Sequence, residues 1–226
     1  MTKAKILEML DKGQIEELKK ILAEEIYEDE LKKAGKQDAV KRFAAMKRWM
    51  KYARQDIKMF AYPAKDVSVN IAGETKVMNC FMNPVSVVLT KESIGSLPDF
   101  DSMVENEEYF NIGKAFEGMS GTPEEVDLNA LFVKARVEGY KFKKSEVDIF
   151  DFKYVLKYKD LYVKLAYVDN VFGIINDGEK AKVYYIAYDQ PLFIETSIGY
   201  AFILPLFWEN VPGQLGKIVI EMEGGE

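Results

Sequence analysis

The chain has 226 residues, 48% hydrophobic and 30% charged, with a formal net charge of -6, one cysteine and no histidine. That length suits one large domain or two small ones, and the apolar fraction can fill a core. The missing histidine excludes Ser-His-Asp and Cys-His catalysis and any zinc site that needs imidazole, and a lone Cys80 excludes an internal disulfide or a CxxC clamp.

No segment reaches the ~18 apolar residues of a membrane span. The opening MTKAKILEMLDKGQ, interrupted by Glu8 and Asp11, does not read as a signal peptide. Together these features predict a reduced, cytoplasmic protein. Self-comparison of the sequence gives no internal repeat.

The first third is helical in pattern. Residues 2–10 carry Ile6, Leu7, Met9 and Leu10, and Gly13 breaks the run; residues 14–33 place Ile15, Leu18, Leu22 and Ile26 at helical spacing before Gly35. This hairpin, residues 1–35, either packs on the rest of the protein or serves as an arm for dimerisation or partner docking, since its apolar stripe is narrow.

Residues 36–54, KQDAVKRFAAMKRWMKYAR, form a third helix of another kind. At about 100° per residue, Ala39, Phe43, Met46, Met50 and Ala53 share one side. Lys41, Lys47, Arg48, Lys51 and Arg54 share the other, over roughly 140° of arc, and only Arg42 falls near the apolar border. Asp38 is the sole acid. Solvated faces normally mix both signs, so this one-sided face is the strongest local signal in the sequence.

From Ile57 the period becomes two. IKMFAYPA, VSVNIAG, TKVMNCFM and PVSVVLTK read as short antiparallel strands. Residues 92–125 are acidic and turn-rich, with one helix expected near 104–117. Thr122-Pro123-Glu124-Glu125 reads as a capping box opening a helix that buries Val126, Leu131, Phe132 and Ala135 and stops at Gly139. A strand through Val147–Phe150 leads to a short helix, DFKYVLKYK, capped by Asp151. Five strand-like runs follow: YVKLAYV, VFGIIN, KVYYIAY, PLFIET and GYAFILPLF, with Asn176-Asp177-Gly178 as a hairpin turn. Segregated helices and antiparallel strands give an α+β fold.

Motifs for chemistry are sparse. There is no GxxxxGKS/T and no GxGxxG, and no cofactor is implied. Asp99, Asp101 and Glu105 lie close together and are either solvated surface or a carboxylate site for a divalent ion. Cys80 in VMNCFM reads as a small buried hydrophobe. Tyr184, Tyr185, Tyr188 and Tyr200 sit in strands, where aromatics are ordinary. Charge is segregated instead: beside the basic helix stands a second basic group that includes Lys134, Arg136, Lys153 and Lys157, and a duplex held by such cations is gripped through its phosphates.

The order of elements resembles the DNA polymerase sliding clamp, the processivity fold, in its short phage or mobile-element form. In that family each domain repeats helix-plus-strands twice. TKVMNCFMNPVSVVLTKESIGSLP looks like the strand pair of the first half. The second half's strand-into-helix is matched by Val147, Phe152, Tyr154, Val155 and Leu156, and its terminal strand pair by Pro191, Leu192, Phe193, Ile194 and Gly199 through Pro205.

The resemblance covers about 36–91 and 145–208, with 92–144 as an insert. It implies a clamp-like α+β domain over 36–208 with two packed helices, and a C-terminal tail over 209–226. It implies a non-enzymatic protein that binds duplex DNA, with a polymerase or other replication protein as partner and a homo-oligomer as an option. Because the paired helices line the family's DNA channel, it carries that role to Lys41, Lys47, Arg48, Lys51 and Arg54, and to Lys153 and Lys157. The alternative reading is an interaction module that docks through the N-terminal helices and has no nucleic-acid role.

Overall fold

A computed structural model describes residues 2–54, 62–92, 112–141, 153–207 and 218–223. Three helices open it: α1 (Lys3–Asp11), α2 (Ile15–Lys33) and α3 (Gln37–Arg54), close to the spans their apolar spacing predicts. Thr2 caps α1 by accepting a hydrogen bond from the Lys5 amide. Next come β1 (Tyr62–Ile71), β2 (Glu74–Asn83) and β3 (Ser86–Thr90), then α4 (Ile112–Ala115), β4 (Glu124–Val126) and α5 (Leu128–Val137). The chain continues through β5 (Tyr154–Tyr158), β6 (Leu161–Lys164), α6 (Leu165–Ile175), β7 (Ala181–Tyr184), β8 (Leu192–Glu195), β9 (Gly199–Ile203) and β10 (Ile218–Glu221). The fold is α+β, as the pattern predicts.

Seven strands form one antiparallel sheet in the order β1-β2-β3-β9-β8-β7-β4, and three more form a small sheet, β10-β5-β6, in which β10 runs parallel to β5. Both faces of the large sheet are covered. On one lie α3 and α6, packed against each other, enclosing Phe43, Met46, Trp49, Phe81, Val88, Val168, Phe172, Ala201 and Ile203. On the other, Ile112, Phe116 and Met119 cover Val67, Val69, Met78, Cys80, Leu89, Phe193 and Phe202.

The large sheet contains two meanders of the same form. β2 pairs with β3 from Asn79↔Thr90 to Asn83↔Ser86, and β8 pairs with β9 from Leu192↔Ile203 to Glu195↔Tyr200. The two registers coincide at a constant displacement of 113 positions, 79 to 192 and 90 to 203. Each meander follows a helix, α3 or α6. β3 pairs antiparallel with β9 about Val88↔Ala201, so a pseudo-two-fold axis passes through that pair. The turns correspond as well: Asn83 Oδ1 accepts from the Val85 and Ser86 amides, and at the equivalent position Thr196 Oγ1 accepts from the Ile198 amide.

Several expected elements are different. DFKYVLKYK is not a helix; its described part is β5, which gains partners on both sides from β6 and β10. The runs YVKLAYV and VFGIIN are not two strands but the end of β6 followed by α6. The large apolar residues of α6 are all buried, and its narrow part-exposed strip, Ala166, Asp169, Asn170 and Gly173, holds only two polar residues and no lysine or arginine to mark it as a helix. Glu124 and Glu125 pair with β7 rather than opening a helix. The cap one turn later wins: Asp127 Oδ1 accepts from the Ala130 amide, and α5 ends before Gly139 as expected.

Asn176-Asp177-Gly178 links α6 to β7 rather than turning a hairpin. Residues 218–221, expected within a tail, are the strand β10. Of the helix expected near 104–117, only α4 falls among the described residues.

Candidate nucleic-acid interface

The amphipathic design of α3 decides where its charges go. Phe43, Ala45, Met46 and Trp49 are buried, with Trp49 edge-on to Phe81 of β2. Arg42, at the apolar border, turns inward. Its guanidinium forks onto Glu92 (Nε–Oε2 3.0 Å, Nη2–Oε1 2.5 Å), and Nη1 donates to the Asn176 carbonyl at the end of α6 at 3.0 Å. The bond bolts α3 to the chain beyond β3 and to the carboxyl end of α6, where a cation is favoured.

Where the predicted basic face is described, at Lys41, Lys47 and Arg48, its residues have acidic neighbours. Lys41 is exposed and reaches Asp38 at 2.8 Å. Lys47 reaches Glu28 of α2 at 2.9 Å and lies over the Phe43 ring. Glu28 also takes Lys32, and the two ammonium groups hold its carboxyl below the usual range. Such pairs near solvent hold each cation weakly. Arg48 lies against α6, its guanidinium 3.6 Å from where a Cβ on Gly173 would stand, and its charge acts on Asp169. The side chains of Lys51 and Arg54 lie outside the described ones.

Lys153 and Lys157 are not on a second helix. Lys153 precedes β5 with its ammonium over the Tyr154 ring, and Lys157, on β5, pairs with Glu221 of β10 at 3.2 Å. The helix that packs beside α3 against the large sheet is α6, which contains no lysine or arginine. The seven residues therefore fall into two groups, one on α3 and one on the small sheet.

Two polar clusters have no counterpart in the sequence reading. Tyr158 donates to Glu124 at 2.7 Å, Lys159 reaches the same carboxylate at 2.6 Å, and its ammonium lies over the Tyr158 and Tyr185 rings. Tyr185 in turn donates to Asp160. These residues are scattered from 124 to 185; the β4–β7 pairing sets Glu124 near Tyr185, and the β5–β6 turn brings Tyr158, Lys159 and Asp160 to them.

The second cluster centres on Asp169 of α6, which accepts from Tyr140 at 3.0 Å. Burial raises its pKa against the opposing pull of Tyr140, Arg136 and Arg48. An acid with a raised folded-state pKa favours the folded state below the ordinary value near 3.8, and that contribution is lost as pH rises through the folded value. Asp169→Asn keeps an acceptor for Tyr140, so we expect it to be more stable than the parent at neutral pH. The gain should shrink toward zero by about pH 4. Urea denaturation of both proteins across that range checks it; a destabilised Asn variant at neutral pH would contradict it.

Among the described residues no group of three or more Cys, Asp or Glu is placed to hold a metal ion. The Asp99, Asp101 and Glu105 candidate lies outside them. Cys80 is buried in the sheet, and burial pushes its thiol up to about 12, which keeps it protonated. No helix among the described residues is long and apolar enough to cross a membrane. Comparison with protein-family models, curated proteins and solved structures gives no match to this chain.

Proposed function

We propose that this chain is a non-enzymatic, DNA-associated accessory protein with a clamp-like core, which holds the duplex backbone through α3. The observation that carries the reading is the paired helix-plus-three-strand units. α3 with β1-β2-β3 and α6 with β7-β8-β9 meet at the β3–β9 pair and set their helices side by side on one face. That arrangement supports the reading, with α6 taking the place proposed for the helix expected at 152–159.

Lys41, Lys47, Lys51 and Arg54 are the proposed phosphate contacts. Their side-chain partners, where described, are weak near-surface pairs that a phosphate can replace. Arg48 is assigned to the α3–α6 contact instead, and Lys153 and Lys157 to a separate surface. A polymerase or another replication protein is the proposed partner class.

Fluorescence anisotropy of a labelled duplex across a salt series tests this. Binding should weaken steeply with salt, and neutralising the four cations together should cost at least about tenfold in affinity and flatten the salt slope. No binding at low salt, or binding indifferent to the fourfold variant, would remove DNA from the proposal.

A second reading, a protein-interaction module, is favoured by a different observation. Leu7 and Leu10 of α1 and Ile15, Ile26 and Tyr27 of α2 stand exposed. Deleting residues 1–34 separates the two readings, because it removes an interaction surface and leaves α3 in place.

A further inference from the structure

Five of the twelve large apolar side chains exposed among the described residues lie on α1 and α2, which marks this hairpin as the least covered apolar part of the molecule. The inner face of α2, with Leu18, Glu24 and Leu31, is already buried. On the outer side Ile15 and Ile26 are 49% and 59% exposed and Leu22 is half-buried, and the three fall within about 40° of one another around the helix. The stripe of Ile15, Leu18, Leu22 and Ile26 is thus divided: Leu18 faces the protein, and the other three form a row in which Ile15 and Ile26 stand exposed and Leu22 is partly covered.

The charges around that row say what fits it. Residues 24–30 contain Glu24, Glu25, Glu28, Asp29 and Glu30 and no base, whereas the first half of the helix contains Lys19 and Lys20 beside Glu16 and Glu17, and Lys32 and Lys33 close the helix. Lys19 and Glu30 are eleven residues apart, hence about 20° apart around the helix, on the same flank of the row. In an antiparallel pair of identical helices, residues on one flank face the same flank of the partner. Centring such a pair between Leu22 and Ile26 puts Leu22 of each copy against Ile26 of the other, and Lys19 of each against Glu30 of the other. A parallel pair would instead set the two acidic stretches against each other. Among the described residues Lys19 pairs with the neighbouring Glu16 at 2.8 Å, in an exposed pair that a partner can replace.

We infer that the outer face of α2 binds the same face of a second copy of this chain, antiparallel, with Leu22 and Ile26 at the centre and reciprocal Lys19–Glu30 pairs beside them. The inference rests on the interaction reading and is independent of DNA binding.

Sedimentation velocity of the full chain over a concentration series tests it. A dimer of twice the 25.9 kDa chain mass is expected. Ile26→Glu should raise the dimer dissociation constant at least about tenfold, with helical content unchanged and a melting temperature equal to the parent's at concentrations where the parent is monomeric, because the side chain is exposed there. Lys19→Glu and Glu30→Lys should each weaken self-association. Mixing the two variants, or combining them in one chain, should restore it, which a merely structural role for either residue would not produce.

A parent chain that stays monomeric at every concentration overturns the proposal, as does a dimer indifferent to Ile26→Glu or charge variants that fail to rescue one another. DNA binding by the Ile26→Glu variant is measured alongside: retained binding with lost association separates this surface from α3.

Discussion

Replacing Arg42 with alanine should cost about 3 kcal/mol of folding stability, more than any other single charge change in the described structure. The guanidinium is buried and makes three hydrogen bonds, two to Glu92 and one to the Asn176 carbonyl. Its loss leaves a carboxylate that is only partly in water and a helix-end carbonyl without its donor. Three segments separate at once: α3, the chain leaving β3, and the end of α6. Glu92→Gln, which keeps an acceptor, should cost less, nearer 1 kcal/mol. Urea denaturation should report lower midpoints with unchanged slopes, and an Arg42→Ala variant within about 1 kcal/mol of the parent would show that the bolt is not structural.

Gly199→Ala should be at least as severe, about 3 kcal/mol or more, or should prevent folding. A Cβ there would stand 1.9 Å from the Leu89 carbonyl oxygen and 3.0 Å from Leu89 C and Thr90 Cα. All three are backbone atoms of β3, so no rotamer change relieves the clash; β9 must move away from its partner. Ser86 occupies the pseudo-symmetric position with a full side chain, its hydroxyl bonded to Asn83. Ser86→Ala removes that bond without a clash and should cost only about 1 kcal/mol. Thermal melts of the two variants side by side give the comparison, and a mild Gly199→Ala would contradict the close approach of β3 and β9.

How legible the fold was depended on whether one side of an element faces water. α2 and α3 have polar faces, and their spans were read almost to the residue. β2, β3, β8 and β9 are short apolar runs punctuated by Pro84 and Gly199, and these too were legible. In α6 that face is reduced to a part-exposed strip with two polar residues, Asp169 and Asn170; Leu165, Tyr167, Val168, Val171, Phe172, Ile174 and Ile175 are all buried, and so short and apolar a run reads as strand or helix alike. β5 was mistaken because Val155 and Tyr158 also suit a helix; what makes it a strand is β10, more than sixty residues on, which no local pattern reveals.

The doubling was hidden for a related reason. From Asn79 to Thr90 and from Leu192 to Ile203, not one aligned pair of residues is identical. Burial at Cys80, Phe81, Val88 and Leu89 is nevertheless matched at Phe193, Ile194, Ala201 and Phe202, so the two units share positions in space without sharing side chains. At the interface, the composition of α3 showed where cations cluster. It could not show that Arg48 turns toward α6 or that Lys47 meets Glu28, because those partners come from other helices.

The β3–β9 pairing also sets an order of events for the folding chain. Each meander is made of neighbours in sequence and can form as soon as its own strands exist, whereas the joint between them brings together residues about 110 positions apart. Closing so long a loop is slow relative to forming a hairpin. Until β9 is made, β3 has an unpaired edge whose backbone donors and acceptors are open to intermolecular pairing, so the first meander is expected to be vulnerable until the second is synthesised.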